Sequence, residues 1–137
     1  MLHTKGTYEL NGTYCEVRRK APKAQGLWSA FRLLCNTMPD TSHGGRNGAE
    51  IDVFKSPYHK DPHKPGNYKA AAFRTPHVDG YAQEHKVKHS PCFLLDGIYD
   101  TFHTYGGYWD EREDIFCVDR KARRRTKWQA HPLSANI

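Results

Sequence analysis

The sequence predicts an all-β domain built as a β-sandwich, and three observations support this prediction. No segment repeats apolar residues at helical spacing for long enough to form an amphipathic helix. About six or seven short apolar and aromatic runs alternate instead with clusters of turn residues, as in a sandwich. The 137 residues include eight Tyr, six Phe and three Trp with eleven Gly and eight Pro, a mixture that favours strands and turns in one domain.

The first predicted strands lie within residues 7–35. Residues 7–19 predict two extended pieces around the dipeptide Asn11-Gly12, which is the strongest short signal for a hairpin turn. After a loop at 21–26, residues 27–35 predict a strand. Because side chains alternate along a strand, this one has a core face and a mixed face. The core face carries Leu27, Phe31 and Leu33, and the mixed face carries Trp28, Ala30 and Arg32.

The remaining predicted strands are short and separated by polar segments. Two long loops, rich in Gly or Pro, are expected on either side of a strand at 49–54, and a long loop in a compact domain is often functional. The later segments are a strand at 68–75, a basic connection at 76–90, an apolar piece at 92–95, and strands at 101–108 and 114–118 joined by a charged turn at 110–113.

Charge and cysteine spacing exclude several classes of site. The formal charge is +6, but its one dense cluster lies in residues 120–137, a basic C-terminal segment that we interpret as a solvated edge or tail of a single domain spanning 1–137. The four cysteines form no C-x-x-C pair, so we expect no metal site, and thiols or disulfides remain open. No apolar run resembles a signal peptide or a membrane span.

Glu50 and Asp52 form a pair of carboxylates on one predicted strand. Residues two apart point to the same side, with Cα atoms ~6.5 Å apart. Retaining glycoside hydrolysis needs two carboxyl groups about 5 to 5.5 Å apart, one as nucleophile and one as acid and then base. A third functional group at position 55 would share that face only if a β-bulge absorbs the additional residue, and the residue there is Lys55.

The run from Glu50 to Lys55 resembles the E-x-D-x-x-E signature of glycoside hydrolase family 16, which includes laminarinases and mixed-linkage β-glucanases. Three further blocks occur in the family's order. Residues 14–31 are similar to Y-x-E-V-R, P-K and G-L-W-x-A-F. Residues 102–109 are similar to F-H-x-Y-x-x-x-W, and Val118-Asp119 is similar to the start of a V-D-G turn.

The resemblance implies a concanavalin-like jelly roll whose concave sheet binds a β-glucan, with no cofactor. Glu50 would be the nucleophile, Asp52 would tune its protonation, and Lys55 occupies the acid/base position. Trp28, Arg32, His103 and Trp109 are the implied substrate-binding residues, with His103 beside the carboxylates and core packing as the alternative for both tryptophans. Members of the family are commonly secreted, although this sequence shows no signal peptide.

Several departures from the family pattern predict an impaired site. A lysine ammonium stays charged at neutral pH, and neighbouring carboxylates favour that form further, so Lys55 is a poor acid and no base. Arg32 replaces a tryptophan, and Arg120 replaces the glycine of V-D-G. The chain is also shorter than the family's catalytic domain, so we expect an incomplete sandwich, either a fragment or an eroded copy.

Three functions are compatible with this sequence. The first is an endo-acting retaining β-glucan hydrolase whose activity is impaired by Lys55. The second is a non-catalytic protein that keeps the fold and binds glycan. The third and least favoured is a small basic nucleic-acid binder using Arg123, Arg124, Arg125 and Lys127, whose binding would collapse with added salt.

Overall fold

The structure, a computed structural model, is all-β in the part of the chain that it describes. The described residues are 2–10, 14–37, 48–58, 71–78, 82–83, 85–87, 93–95, 97–110 and 112–127. They form nine strands. In chain order these are β1 (Tyr14–Arg19), β2 (Trp28–Leu34), β3 (Ala49–Pro57), β4 (Ala71–Val78), β5 (Lys86–Val87), β6 (Phe93–Leu94), β7 (His103–Trp109), β8 (Glu113–Val118) and β9 (Lys121–Lys127).

The strands form two antiparallel sheets. One has four strands in the order β1-β7-β8-β9, and the other has five, with the order β2-β3-β4-β5 and with β6 also paired to β4. The core between the sheets combines side chains of both. Phe54 of β3 packs on Tyr105 of β7 with ring centroids 4.3 Å apart, and Ile51, Trp109 and Phe116 belong to the same buried cluster. The predicted β-sandwich is therefore confirmed.

The strand β2 alternates as its sequence predicts, with one exception. Phe31 and Leu33 pack against the core, whereas the other face is open and Trp28 is 67% exposed. Leu27 was expected on the core face but is 48% exposed. The physical reason is that Leu27 precedes the strand and closes a turn, with its amide donating to Ala24 O.

Two strands lie where the sequence predicted none. The segment 76–90 was interpreted as a connection, yet Pro76 continues β4 and β5 lies within it. The φ angle of proline is compatible with a strand, but proline has no backbone N–H to donate. A strand therefore tolerates proline at a position where no N–H is needed for the hydrogen bonds between strands. The strand β9 has no apolar face, and it forms as the hairpin partner of β8, with Arg125 paired to Glu113. The predicted turn at Asn11-Gly12 lies outside the described residues.

No helix in the described part of the chain is long and apolar enough to cross a membrane. The described cysteines Cys15, Cys35 and Cys117 are thiols.

Candidate active site

A β-bulge in β3 brings Lys55 to the same face as Glu50 and Asp52. Against β2, Phe31 pairs with Phe54 but the next residue, Arg32, pairs with Asp52. The register against β4 also shifts between Asp52 and Lys55. Val53 and Phe54 both enter the core, so the alternation resumes one residue late. This confirms the bulge that the five-residue spacing from Glu50 to Lys55 requires.

The ammonium of Lys55 bridges the two carboxylates. Its Nζ forms an ion pair with Asp52 Oδ2 and lies 3.9 Å from Glu50 Oε1. From the neighbouring strand β2, Arg32 Nη1 donates a hydrogen bond to Glu50 Oε1 at 3.2 Å. The two carboxylates therefore lie between two basic side chains, one from each of two adjacent strands.

Burial makes the charges of this group interdependent. Glu50 is 1% exposed and Asp52 is 0% exposed. Burial, together with the charge of Asp52, raises the pKa of Glu50 above its ordinary value. Burial alone would also raise the pKa of Asp52, but hydrogen bonds from His77 and Lys55 outweigh it and lower this pKa below its ordinary value. Of the two carboxyl groups, Glu50 is therefore the weaker acid and Asp52 the stronger.

Two histidines that the sequence did not single out complete the group. His77 of β4 lies directly opposite Glu50 in the register of β3 and β4, and its Nε2 is 3.3 Å from Asp52 Oδ2. Its Nδ1 is 3.0 Å from His85 Nε2. Extending the predicted strand by two residues beyond Thr75 would have placed His77 in a strand next to the carboxylates.

The two predicted tryptophans lie in different environments. Trp28 is on the same face of β2 as Arg32, two alternations away, and its ring is open to solvent. Trp109 of β7 is 4% exposed and belongs to the core between the sheets. Trp28 shares the face of the carboxylates, whereas Trp109 packs behind it. The substrate-binding role of each residue stays a prediction.

The structure does not bring His103 to the carboxylates. It begins β7, in the sheet that does not contain β3. Its Nδ1 is 2.9 Å from Asp119 Oδ2 and its Nε2 is 3.0 Å from Thr101 Oγ1. Asp119 Oδ1 also accepts a hydrogen bond from the Thr104 amide at 3.0 Å. His103 thus joins the start of β7 to the turn between β8 and β9.

The described residues contain no group of three or more His, Cys, Asp or Glu side chains placed to hold a metal ion. What the site offers chemically is two buried carboxylates, two flanking cations and an imidazole pair on one face of the sheet.

Comparison with solved structures identifies the fold. A laminarinase catalytic domain from Thermotoga maritima MSB8 is 25% identical, with a TM-score of 0.62, over 90% of this chain and 46% of that chain. A laminarinase from Flavobacterium sp. UMI-01 is 25% identical, with a TM-score of 0.64, over 93% and 50%. A family 16 protein of a Bacteroides ovatus mixed linkage glucan locus, in complex with the product G4G4G3G, is 20% identical, with a TM-score of 0.69, over 90% and 51%.

These likenesses confirm the jelly-roll prediction, and the chain spans about half the length of the solved structures it matches. A search of curated proteins finds no match. The model of the glycosyl hydrolases family 16 matches residues 2–134, which is nearly the whole chain. The protein therefore belongs to glycosyl hydrolase family 16.

Proposed function

We propose that this protein carries the nucleophile side of a retaining β-glucan hydrolase site, and that Lys55 leaves it able to bind glycan but impaired in turnover. One observation carries this proposal: the Lys55 ammonium contacts Asp52 and lies 3.9 Å from Glu50 Oε1, at the position where the family signature has a carboxylic acid. The family assignment and the laminarinases among the similar structures support a β-glucan as the ligand.

The chemistry of the retaining mechanism assigns the roles. Glu50 would attack the anomeric carbon, and a second carboxyl group would first protonate the leaving oxygen and then activate water. Lys55 replaces that second group and does neither at neutral pH. The Lys55 ammonium and the Arg32 guanidinium both stabilise the negative charge of the Glu50 carboxylate. This stabilisation lowers the reactivity of Glu50 as a nucleophile toward the anomeric carbon. The missing acid and the less reactive nucleophile therefore both slow the first step, in which Glu50 attacks the anomeric carbon.

The glycan would lie across the face of β2 and β3 that carries the carboxylates. Trp28 is the exposed aromatic on this face, and an aromatic ring offers an apolar surface to the C–H face of a sugar. Lys55 and Arg32 would contact its hydroxyl groups.

The nucleophile can be tested in the native protein with a substrate that needs no acid. A 2-deoxy-2-fluoro β-glucan oligosaccharide with a dinitrophenolate leaving group should react so that a bond forms between a Glu50 oxygen and C1 while the bond to dinitrophenolate breaks. Mass spectrometry should find one glycosyl adduct on the peptide containing Glu50, and none in Glu50→Gln. An adduct elsewhere, or no adduct in the folded protein, contradicts the assignment of Glu50.

Restoring the acid tests the role of Lys55. Lys55→Glu should raise the rate of laminarin or lichenan hydrolysis at least tenfold above Lys55→Gln, because only the carboxyl variant supplies an acid and base; general acid–base catalysis contributes about 10²- to 10⁴-fold. Glu50→Ala in the Lys55→Glu background should abolish the activity. Circular dichroism in the near ultraviolet checks that each variant is folded. If folded Lys55→Glu is no faster than Lys55→Gln, Lys55 is not the residue that limits turnover.

A further inference from the structure

The buried carboxylate pair is connected to solvent by two histidines. Asp52 is fully buried, the His77 side chain is 16% exposed, and His85 is exposed. Consecutive contacts join them: Asp52 Oδ2 to His77 Nε2 at 3.3 Å and His77 Nδ1 to His85 Nε2 at 3.0 Å. The two imidazole planes lie within 8° of each other. Exposure therefore increases along one chain of hydrogen-bonding atoms.

Both ring nitrogens of His77 take part in this chain, which is the geometry of a proton carrier. An imidazole can accept a proton at one nitrogen and release one from the other, and it does so near neutral pH. A histidine that only anchored Asp52 would need one of these contacts. The contact with His85 adds a path to the surface.

We propose that His85 and His77 form a proton relay between solvent and the Asp52–Glu50 pair. His85 takes up a proton from water. The proton on His85 Nε2 passes to His77 Nδ1, and the proton on His77 Nε2 passes to Asp52 Oδ2. Proton uptake breaks an O–H bond of hydronium and forms an N–H bond on His85. Each of the two later steps breaks one N–H bond and forms one N–H or O–H bond, so the net result is a proton moved from solvent to the carboxylate.

The surrounding charges both favour and oppose this transfer. On β3, Asp52 and Glu50 attract a proton, whereas Lys55 opposes it. On β2, Arg32 adds a second opposing charge through its contact with Glu50. Lys86 on β5 follows His85 in sequence and is a third cation near the outer end. The relay thus ends on a pair of carboxylates that attract a proton while the cations in contact with them oppose it.

The relay rests on the proposed site but not on its turnover, so its test is independent of hydrolysis. In native protein labelled with ¹³C at its carboxyl groups, the Asp52 carboxyl resonance should move when His85 is replaced by Gln, because the relay joins the two side chains through His77. An Asp52 carboxyl resonance that is the same in His85→Gln and in native protein would overturn the relay.

A pair of variants separates the path from simple anchoring. His85→Gln keeps the contact between His77 and Asp52 but should slow exchange of the His77 ring N–H with water at least tenfold. His103→Gln is the matched control, because His103 also contacts an aspartate but lies in the other sheet, and it should leave this exchange rate unchanged. Equal exchange rates in His85→Gln and native protein, with unchanged backbone amide spectra, would overturn the proposal.

Discussion

Asp52 is the residue whose charge is most constrained by the fold. It is fully buried and pairs with Lys55 and His77. A buried charge is tolerated only when partners compensate for the water it has lost. Removing the carboxylate would leave the Lys55 ammonium, itself largely buried, beside a neutral group. Loss of the Asp52 carboxylate would therefore remove the charged partner of both Lys55 and His77.

Asp52→Asn should destabilise the protein by about 3 kcal/mol at neutral pH, as expected when one partner of a buried pair is removed. The folded pKa of Asp52 lies below its unfolded value of ~3.9. The paired carboxylate thus contributes stability above that value and loses it as the pH falls through the folded pKa. Urea unfolding of both proteins from neutral to acidic pH should show the difference shrinking below about pH 4.

An exposed ion pair provides the control for this experiment. Asp100 pairs with Lys23 at 3.2 Å, and both side chains are exposed. Such pairs contribute little because water screens them, so Asp100→Asn should leave the unfolding curve almost unchanged at every pH. A loss in Asp52→Asn that stays constant down to acidic pH would contradict the assigned ionisation of Asp52.

At this scale the sequence predicted the residues of β3 but not their partners on β4. Alternation places Glu50 and Asp52 together, and the bulge follows from where Lys55 falls. His77 was missed because Pro76 marks a strand end in a one-dimensional pattern. The pairing of His77 with Glu50 depends on the register between two strands, which no local pattern encodes.

At the scale of elements, the turn between β8 and β9 shows a side-chain-bearing residue where glycine is favoured. Asp119 and Arg120 have φ values of 50° and 60°. A left-handed backbone costs a residue with a Cβ about 1 to 2 kcal/mol, and glycine avoids this cost. The sequence alone identified Arg120 as the residue that departs from V-D-G, and the structure places it in the left-handed region.

Replacing Arg120 tests this backbone strain. Arg120→Gly and Arg120→Ala both remove the contact with Glu16, so their difference reports the backbone alone. We expect the glycine variant to be the more stable of the two by about 1 kcal/mol, measured as the free energy of unfolding in urea.

At the neighbouring position 121, we expect alanine rather than glycine to give the more stable protein. Lys121 begins β9, where extended backbone suits alanine, so Lys121→Gly should be less stable than Lys121→Ala by about 0.5 to 1 kcal/mol. If glycine and alanine were equally stable at position 120, the turn would not be strained there.

Strands with an apolar face were predictable, and strands without one were not. The faces of β2 and the core positions of β3 follow from alternation. In β9, Thr126 is the buried residue and the rest are mainly exposed, so its strand character comes from pairing with β8. Tertiary pairing thus overrides the weak local preference of a basic segment.

At the scale of the whole molecule, the bulge in β3 packs directly against the opposite sheet. A Cβ at Gly107 of β7 would lie 3.3 Å from Val53 Cγ2, so Val53 packs against bare backbone there. Val53 is also the residue at which the register shifts, between Asp52 and Phe54. We therefore expect close approach of the sheets at Gly107 to stabilise the bulge that directs Lys55 toward the carboxylates.

A double-mutant cycle at Gly107 and Val53 tests this coupling. Gly107→Ala should destabilise the protein by about 1 kcal/mol through crowding, and Val53→Ala should cost about 2 kcal/mol through lost burial. In the double variant the smaller side chain makes room for the added methyl group. The combined loss of unfolding free energy should then fall at least ~0.5 kcal/mol below the sum of the single losses.

Gly106 gives the matched control, because a Cβ there would meet the Tyr14 ring on the other face of β7. Gly106→Ala combined with Val53→Ala should therefore be additive within ~0.5 kcal/mol. If Gly107→Ala is equally additive, the two sheets are not coupled at the bulge. If it is coupled, a substitution in one sheet also alters the contact between Lys55 and Asp52 in the other, and the Asp52 carboxyl resonance should shift in Gly107→Ala but not in Gly106→Ala.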